Sequence, residues 1–219
     1  MLRFTRHGLW EMVYGTIALA LIGSGLFLIH PLLALAPFVI WLWLMAFFRD
    51  PHRAIPAGDQ NWVSPADGMV SDIKEIEHDD LLAGPAVRVG IFLNVFSVHV
   101  NRSPCDGVVI QTIYKEGKFI NAMKHGSASS DNESNTILLG DASGKPIAVV
   151  KQIVGLIARR IVCTSTQGVK LARGDHMGMI KFGSRTELLI PKWLNPQIKV
   201  QVGQKVRGAA DVIAVVTPV

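Results

Sequence analysis

The chain has 219 residues, 49% of them hydrophobic and 18% charged, with a formal net charge of +5. It is too apolar to be a disordered chain, and its length suits one compact domain with an appendage. Its two cysteines, Cys105 and Cys163, are too few and too far apart for a disulfide scaffold or for metal-ligand spacing, so reduced core thiols and no bound metal are expected.

Nearly every residue between positions 9 and 48 is apolar. Two stretches, 9–29 and 32–48, flank His30-Pro31, and each is about long enough to cross a hydrocarbon core of roughly 30 Å as a helix. This predicts an N-terminal apolar helical hairpin over residues 1–50. Arg3 and Arg6 precede it, while Arg49 and Arg53 follow it. The excess of arginine at both ends puts them in the cytoplasm, with the hairpin in the cell (inner) membrane and the remainder facing the cytoplasm. A cleaved signal peptide fits less well, because a second apolar run with Trp41 and Trp43 stands where a small-residue cleavage site would follow. Glu11 lies near enough to the start of the first stretch to reach the interface, and it suits a re-entrant hairpin as well as a spanning one.

Beyond Pro51 the texture changes to short β-branched runs broken by Gly, Pro and Asp. Strands are predicted over residues 68–76, 86–95, 108–114, 136–139 and 147–154, then over 158–164, 177–182, 187–190, 198–202 and 212–216. The fold class is therefore β-rich α+β: a barrel-sandwich-like β domain over 51–219 behind the hairpin. Residues 200–214, with glycines between valine-rich strands, are similar to lipoyl- and biotinyl-type sandwiches. Residues 115–135 are polar and rich in Gly and Ser, which predicts a loop with a short helical turn. A short repeat, Ser64-Pro65-Ala66-Asp67-Gly68 and Ser103-Pro104-Cys105-Asp106-Gly107, reads as two turns that each feed a strand and points to a duplicated β-substructure.

Six of the seven histidines sit in flanks or polar turns, where a surface role suffices. His99 differs, because it ends a β-like apolar run that passes into a polar turn. Asp67 alone is a turn residue. Of the Gly-Ser pairs, Gly183-Ser184 stands between strand-like flanks, whereas Gly23-Ser24 is in the hairpin and Gly126-Ser127 in the polar loop. A serine hydroxyl held against the preceding carbonyl can attack it, and glycine permits the approach. A base oriented by a carboxylate activates such a serine, and His99 and Asp67 supply those residue types.

Together these motifs resemble the phosphatidylserine decarboxylase family, in its short bacterial and archaeal branch. The resemblance is carried by Phe48-Arg49-Asp50-Pro51, Ser64-Pro65-Ala66-Asp67-Gly68, Val98-His99-Val100, Asp131-Asn132-Glu133-Ser134-Asn135, Lys151-Gln152-Ile153-Val154-Gly155 and Gly178-Met179-Ile180-Lys181-Phe182-Gly183-Ser184-Arg185. It implies self-cleavage after Gly183, with Asp67, His99 and Ser184 as the processing triad. A large chain, 1–183, and a small chain, 184–219, would stay associated, and Ser184 would become a covalent pyruvoyl cofactor. That group would form a Schiff base with the amine of phosphatidylserine and act as the electron sink for loss of CO₂, yielding phosphatidylethanolamine in phospholipid biosynthesis. Long-form relatives carry an additional histidine where this chain has Phe96, and Leu-Gly-Ser-Thr where it has Phe182-Gly183-Ser184-Arg185. The donor of the proton in decarboxylation is therefore left unassigned.

The expected partners are phosphatidylserine and the anionic membrane surface, which the net charge suits. Nucleic acid is not expected, since the basic residues are scattered without interleaved aromatics. Self-association into a homo-oligomer is compatible with the sequence. Arg49 and Arg185 each read equally as a contact to lipid phosphate or as a solvated surface arginine. Two rivals stand beside this reading. A pyruvoyl decarboxylase of a soluble amine would have no use for the hairpin, and a membrane-anchored β-sandwich that only binds would stay uncut.

Overall fold

The computed structural model describes residues 3–117, 131–155, 160–181 and 183–217. The chain divides into two compact units, residues 1–52 and 53–219. Most of the predicted polar loop, and Phe182, lie outside the described residues.

The first unit is the apolar hairpin. A 3-10 turn, Arg6–Gly8, leads into α1 (Leu9–Ile29), and a second, Pro31–Ala34, leads into α2 (Leu35–Phe47). Glu11 falls in the first turn of α1, where the positive end of the helix dipole favours a carboxylate. Trp41 Nε1 donates to Thr16 Oγ1 across 3.0 Å and so ties the two helices together. The ends of the unit are stitched by Thr5 N to the Phe48 carbonyl (2.9 Å) and Asp50 N to the Arg3 carbonyl (2.8 Å). The chain therefore enters and leaves the hairpin at one place.

Residues Arg6–Ile29 are long and apolar enough to cross a membrane, with a mean hydropathy of 2.1. Trp10, Leu21 and Leu28 are all well exposed, and apolar surface on this scale calls for a non-aqueous neighbour. Pro31, at the first position of the intervening turn, favours a tight 3-10 start. The 3-10 turn and the 13 residues of α2 form one apolar helical run, Pro31–Phe47, which rises about 27 Å, just under the roughly 30 Å of a hydrocarbon core.

The second unit is built from strands. They are β1 (Asn61–Val63), β2 (Gly68–Asp79), β3 (Gly84–Leu93), β4 (Val100–Arg102), β5 (Gly107–Lys115), β6 (Ser134–Gly140) and β7 (Pro146–Val154). There follow β8 (Arg160–Cys163), β9 (Lys170–Leu171), β10 (His176–Lys181), β11 (Ser184–Pro191), β12 (Gln197–Ile198), β13 (Lys205–Val206) and β14 (Val212–Val215). Eight of them form one curled antiparallel sheet in the order β13-β2-β3-β11-β7-β6-β5-β9. Two three-stranded sheets, β1-β14-β12 and β4-β10-β8, complete the unit. Alternate residues of the large sheet, among them Ile91, Leu93, Ile137, Leu139, Val150 and Leu188, form the main core.

The short sequence repeat is a structural repeat. Ser64 Oγ donates to the Ala66 carbonyl (2.6 Å), as Ser103 Oγ does to the Cys105 carbonyl (2.7 Å). The two turns also exchange backbone bonds, Val63 N to the Pro104 carbonyl and Arg102 N to the Pro65 carbonyl, each 2.9 Å. β2 then pairs with β13 and β5 with β9 in matching fashion. The repeated turns thus join the two halves of the unit back to back.

The opposite face of the large sheet carries buried charge. Arg185 is fully buried, which overturns both expectations for it, a lipid contact and a solvated surface side chain. Its guanidinium donates to Asp72 Oδ2 (2.5 Å), Ser71 Oγ (2.5 Å) and Glu187 Oε1 (2.9 Å). Arg88 reaches Asp72 (3.2 Å) and Glu187 (3.7 Å) from the same side. A Cβ at Gly90 would overlap the Arg185 guanidinium, so a glycine on β3 makes the room. Burial works to raise the Asp72 pKa, but the hydrogen bond and charge of Arg185, with Arg88 and Ser71, outweigh it and hold the carboxyl below its usual value. At Lys151 burial prevails and lowers the ammonium pKa, against the opposing charge of Glu187.

Removing one member of a buried ion pair strands the other. Arg185→Met is expected to destabilise the second unit by about 3–5 kcal/mol, read as a lower urea midpoint. Because Asp72 has a depressed folded pKa, its contribution is present above its unfolded pKa of about 3.9 and lost as pH falls through the folded value. The melting temperature of Asp72→Asn should therefore lie below wild type at neutral pH, with the gap closing on acidification.

Candidate active site

The turn between β10 and β11 is held by a histidine. Gly183 has φ +65°, a left-handed conformation that glycine adopts without the Cβ penalty. β11 begins at the next residue, Ser184. His99 stands just before β4, which pairs with β10, and its carbonyl accepts from Ile180 N at 3.3 Å. Its imidazole reaches past the end of β10, where Nε2 accepts the Gly183 amide at 3.3 Å. Nδ1 lies 2.9 Å from the Ser97 carbonyl. A ring nitrogen that faces a carbonyl must carry the proton, and one that accepts an amide must not. The two contacts together therefore assign the neutral tautomer with its lone pair at Nε2, beside the Gly183-Ser184 junction.

Ser184 lies between β3 and β7, opposite Leu93 on one side and Val154 on the other. It is fully buried, and its Oγ has no hydrogen-bond partner among the described residues. An unmade hydroxyl bond in a dry site costs about 1–3 kcal/mol, so a buried orphan of this kind calls for a role.

The third expected member is placed differently. Asp67 Oδ2 is paired with Arg53 at 2.8 Å, and Oδ1 accepts the Gly208 amide at 2.8 Å. Asp106, its counterpart in the second repeat, likewise accepts a backbone amide, that of Arg173, at 2.6 Å. The structure thus brings His99 to the Gly183-Ser184 junction and leaves Asp67 bonded within the turn before β2. At Nδ1 of His99 the Ser97 carbonyl makes the bond that an orienting carboxylate would otherwise make. Arg53 carried no signal in the sequence beyond its charge, and Ser97 acts through its backbone, which sequence reading does not single out.

Comparison with known proteins points to one family. The model of the phosphatidylserine decarboxylase family matches residues 41–214. A phosphatidylserine decarboxylase proenzyme of Carboxydothermus hydrogenoformans is 43% identical over 208 residues, covering 95% of this chain and 94% of its own length. That of Syntrophus aciditrophicus is 45% identical over 182 residues, covering 83% of this chain and 84% of its own. A third, from Rhodopirellula baltica, is 41% identical over 218 residues, covering 97% and 88%. With the family model matching residues 41–214 and with likeness to these relatives along almost its whole length, this chain belongs to the phosphatidylserine decarboxylase family.

Proposed function

We propose that the chain is a proenzyme that cuts itself between Gly183 and Ser184, converts Ser184 into a pyruvoyl group, and with it decarboxylates phosphatidylserine to phosphatidylethanolamine. The observation that carries this reading is the contact of His99 Nε2 with the Gly183 amide, next to a buried and unpartnered Ser184 hydroxyl.

Ser184 Oγ attacks the Gly183 carbonyl carbon, and its proton passes to His99 Nε2. The C–N bond breaks, the amine of residue 184 takes up a proton, and an ester joins Gly183 to the Ser184 side chain. Loss of the residue-184 α-proton expels the Gly183 carboxylate and leaves a dehydroalanine. Addition of water and departure of ammonia then give the ketone. The site fits this sequence of steps, since glycine permits the close approach and the serine hydroxyl has no competing bond to break. Once made, the pyruvoyl carbonyl supplies an electron sink for the pair released with CO₂. His99, at hydrogen-bond reach of the junction, is the residue in place to move protons there.

Two further features support the reading. After the cut, β11 would still be laddered to β3 on one edge and β7 on the other, from Ser184 onward, so the small chain has reason to stay with the large one. The hairpin, with arginines at both ends and an exposed apolar surface, suits insertion into the cell membrane from the cytoplasmic side, where a lipid substrate need not leave the bilayer.

Purified protein in mixed micelles should release labelled CO₂ from carboxyl-labelled phosphatidylserine. Ser184→Ala should release none, and prior reduction of the wild type with borohydride, which destroys a ketone, should abolish release. Release that survives borohydride would contradict the pyruvoyl reading, and failure to release CO₂ from phosphatidylserine at all would contradict the substrate.

A further inference from the structure

Two of the sequence motifs, 131–135 and 151–155, feed one buried chain of amides beside Ser184. Asn135 Nδ2 donates to Gln152 Oε1 (3.0 Å), Gln152 Nε2 to Asn101 Oδ1 (2.9 Å), and Asn101 Nδ2 to Thr186 Oγ1 (2.9 Å). Thr186, Gln152 and Asn135 stand in one row across β11, β7 and β6. Asn101 comes to them from β4, in another sheet. The next row on the same face, two residues along, contains Ser184 opposite Val154. Val154 is itself gripped by the same polar motif, its carbonyl accepting Asn132 Nδ2 (2.8 Å) and its amide donating to the Glu133 carbonyl (3.1 Å).

The spacing gives this chain of bonds a consequence. His99 and Asn101 are two residues apart on one extended segment, and Ser184 and Thr186 are two apart on another. Alternation places each pair on one face, about 7 Å apart along the strand. The Asn101–Thr186 bond is therefore the rung next to the one on which His99 meets the Gly183-Ser184 junction. Asn101, Gln152, Asn135 and Thr186 are all buried, and the three amides bond one another in sequence. Such a network is spent on holding its members rigid and is not poised to receive a ligand.

We infer that Asn101 is a positioning residue for self-cleavage: bonded to Thr186 and fixed in orientation by Gln152 and Asn135, it sets the segment bearing His99 in register with the strand bearing Ser184. This rests on the proposed cut at Gly183-Ser184. It gives the 131–135 and 151–155 motifs a task, since they brace the strand next to the nucleophile and the amide that aligns its base.

The test is a time course of cleavage across pH in full-length chain made by cell-free synthesis with lipid vesicles, for wild type, Ser184→Ala, Asn101→Leu and Gln152→Met. Asn101→Leu keeps the side-chain size but makes neither bond, and should cut about 10- to 100-fold more slowly, as a displaced catalytic group does. Its residual rate should also lose the inflection contributed by His99, because a displaced imidazole no longer takes the hydroxyl proton. A simple loss of folded chain would scale the rate equally at every pH. Gln152→Met leaves Asn101 bonded to Thr186 alone, and should show a smaller slowing with the same change of profile. It carries the test if Asn101→Leu does not fold. Cleavage of both variants at the wild-type rate, or at a reduced rate with the wild-type profile, overturns the role of Asn101 while leaving the cut itself intact. A wild type that stays as whole as Ser184→Ala overturns the cut, and the inference with it.

Discussion

The Gly183 amide and the Nε2 of His99, 3.3 Å apart, join the two parts of the molecule that the proposed self-cleavage requires. On one side is a turn whose left-handed glycine presents the peptide bond and, one residue on, the serine. On the other is an imidazole whose Nε2 accepts the Gly183 amide and whose Nδ1 lies 2.9 Å from the Ser97 carbonyl. Neither half is useful without the other. The pairing of β4 with β10 and the bond from Ile180 N to the His99 carbonyl bring them together, and the amide chain through Asn101 keeps them in register.

The strand that begins at Ser184 separates two environments. Ser184 and Thr186 face neutral amides and the apolar core, while Arg185 and Glu187 face a buried set of ion pairs with Asp72 and Arg88. Alternation along one strand is enough to do this. Charge that would compete for the serine hydroxyl is kept on the other face, where it fixes β11 against β2 and β3. The arginine that follows the serine belongs to that supporting face.

Much of the fold was legible because period-two runs, Gly-Asp turn chemistry and an uninterrupted apolar stretch each have a direct physical cause. Strands such as 147–154 and 212–216 were bounded closely, and the repeated Ser-Pro-x-Asp-Gly turn pointed to a real duplication. The two- and three-residue strands β1, β4, β9 and β13 were not legible, since so short a run has no period to read. Arg185 and Glu187 are charged and stand two apart, as on a solvated strand face, and only the glycine opposite Glu187 on β3 reveals that the face is buried. Asn101, Gln152 and Asn135 meet from 17 to 51 positions apart, a convergence that exists in the register of the strands and not in any local pattern. Asp67 shows the reverse difficulty. Its residue type suits a triad, yet its turn occupies it with Arg53 and Gly208.

The central claim is that Ser184 is spent in making the enzyme, and the intact masses of the purified protein under denaturing conditions test it most directly. The account predicts two chains, residues 1–183 and 184–219, the smaller blocked at its N-terminus by a ketone. A folded wild type that remains a single chain, with residue 184 still a serine, would contradict it.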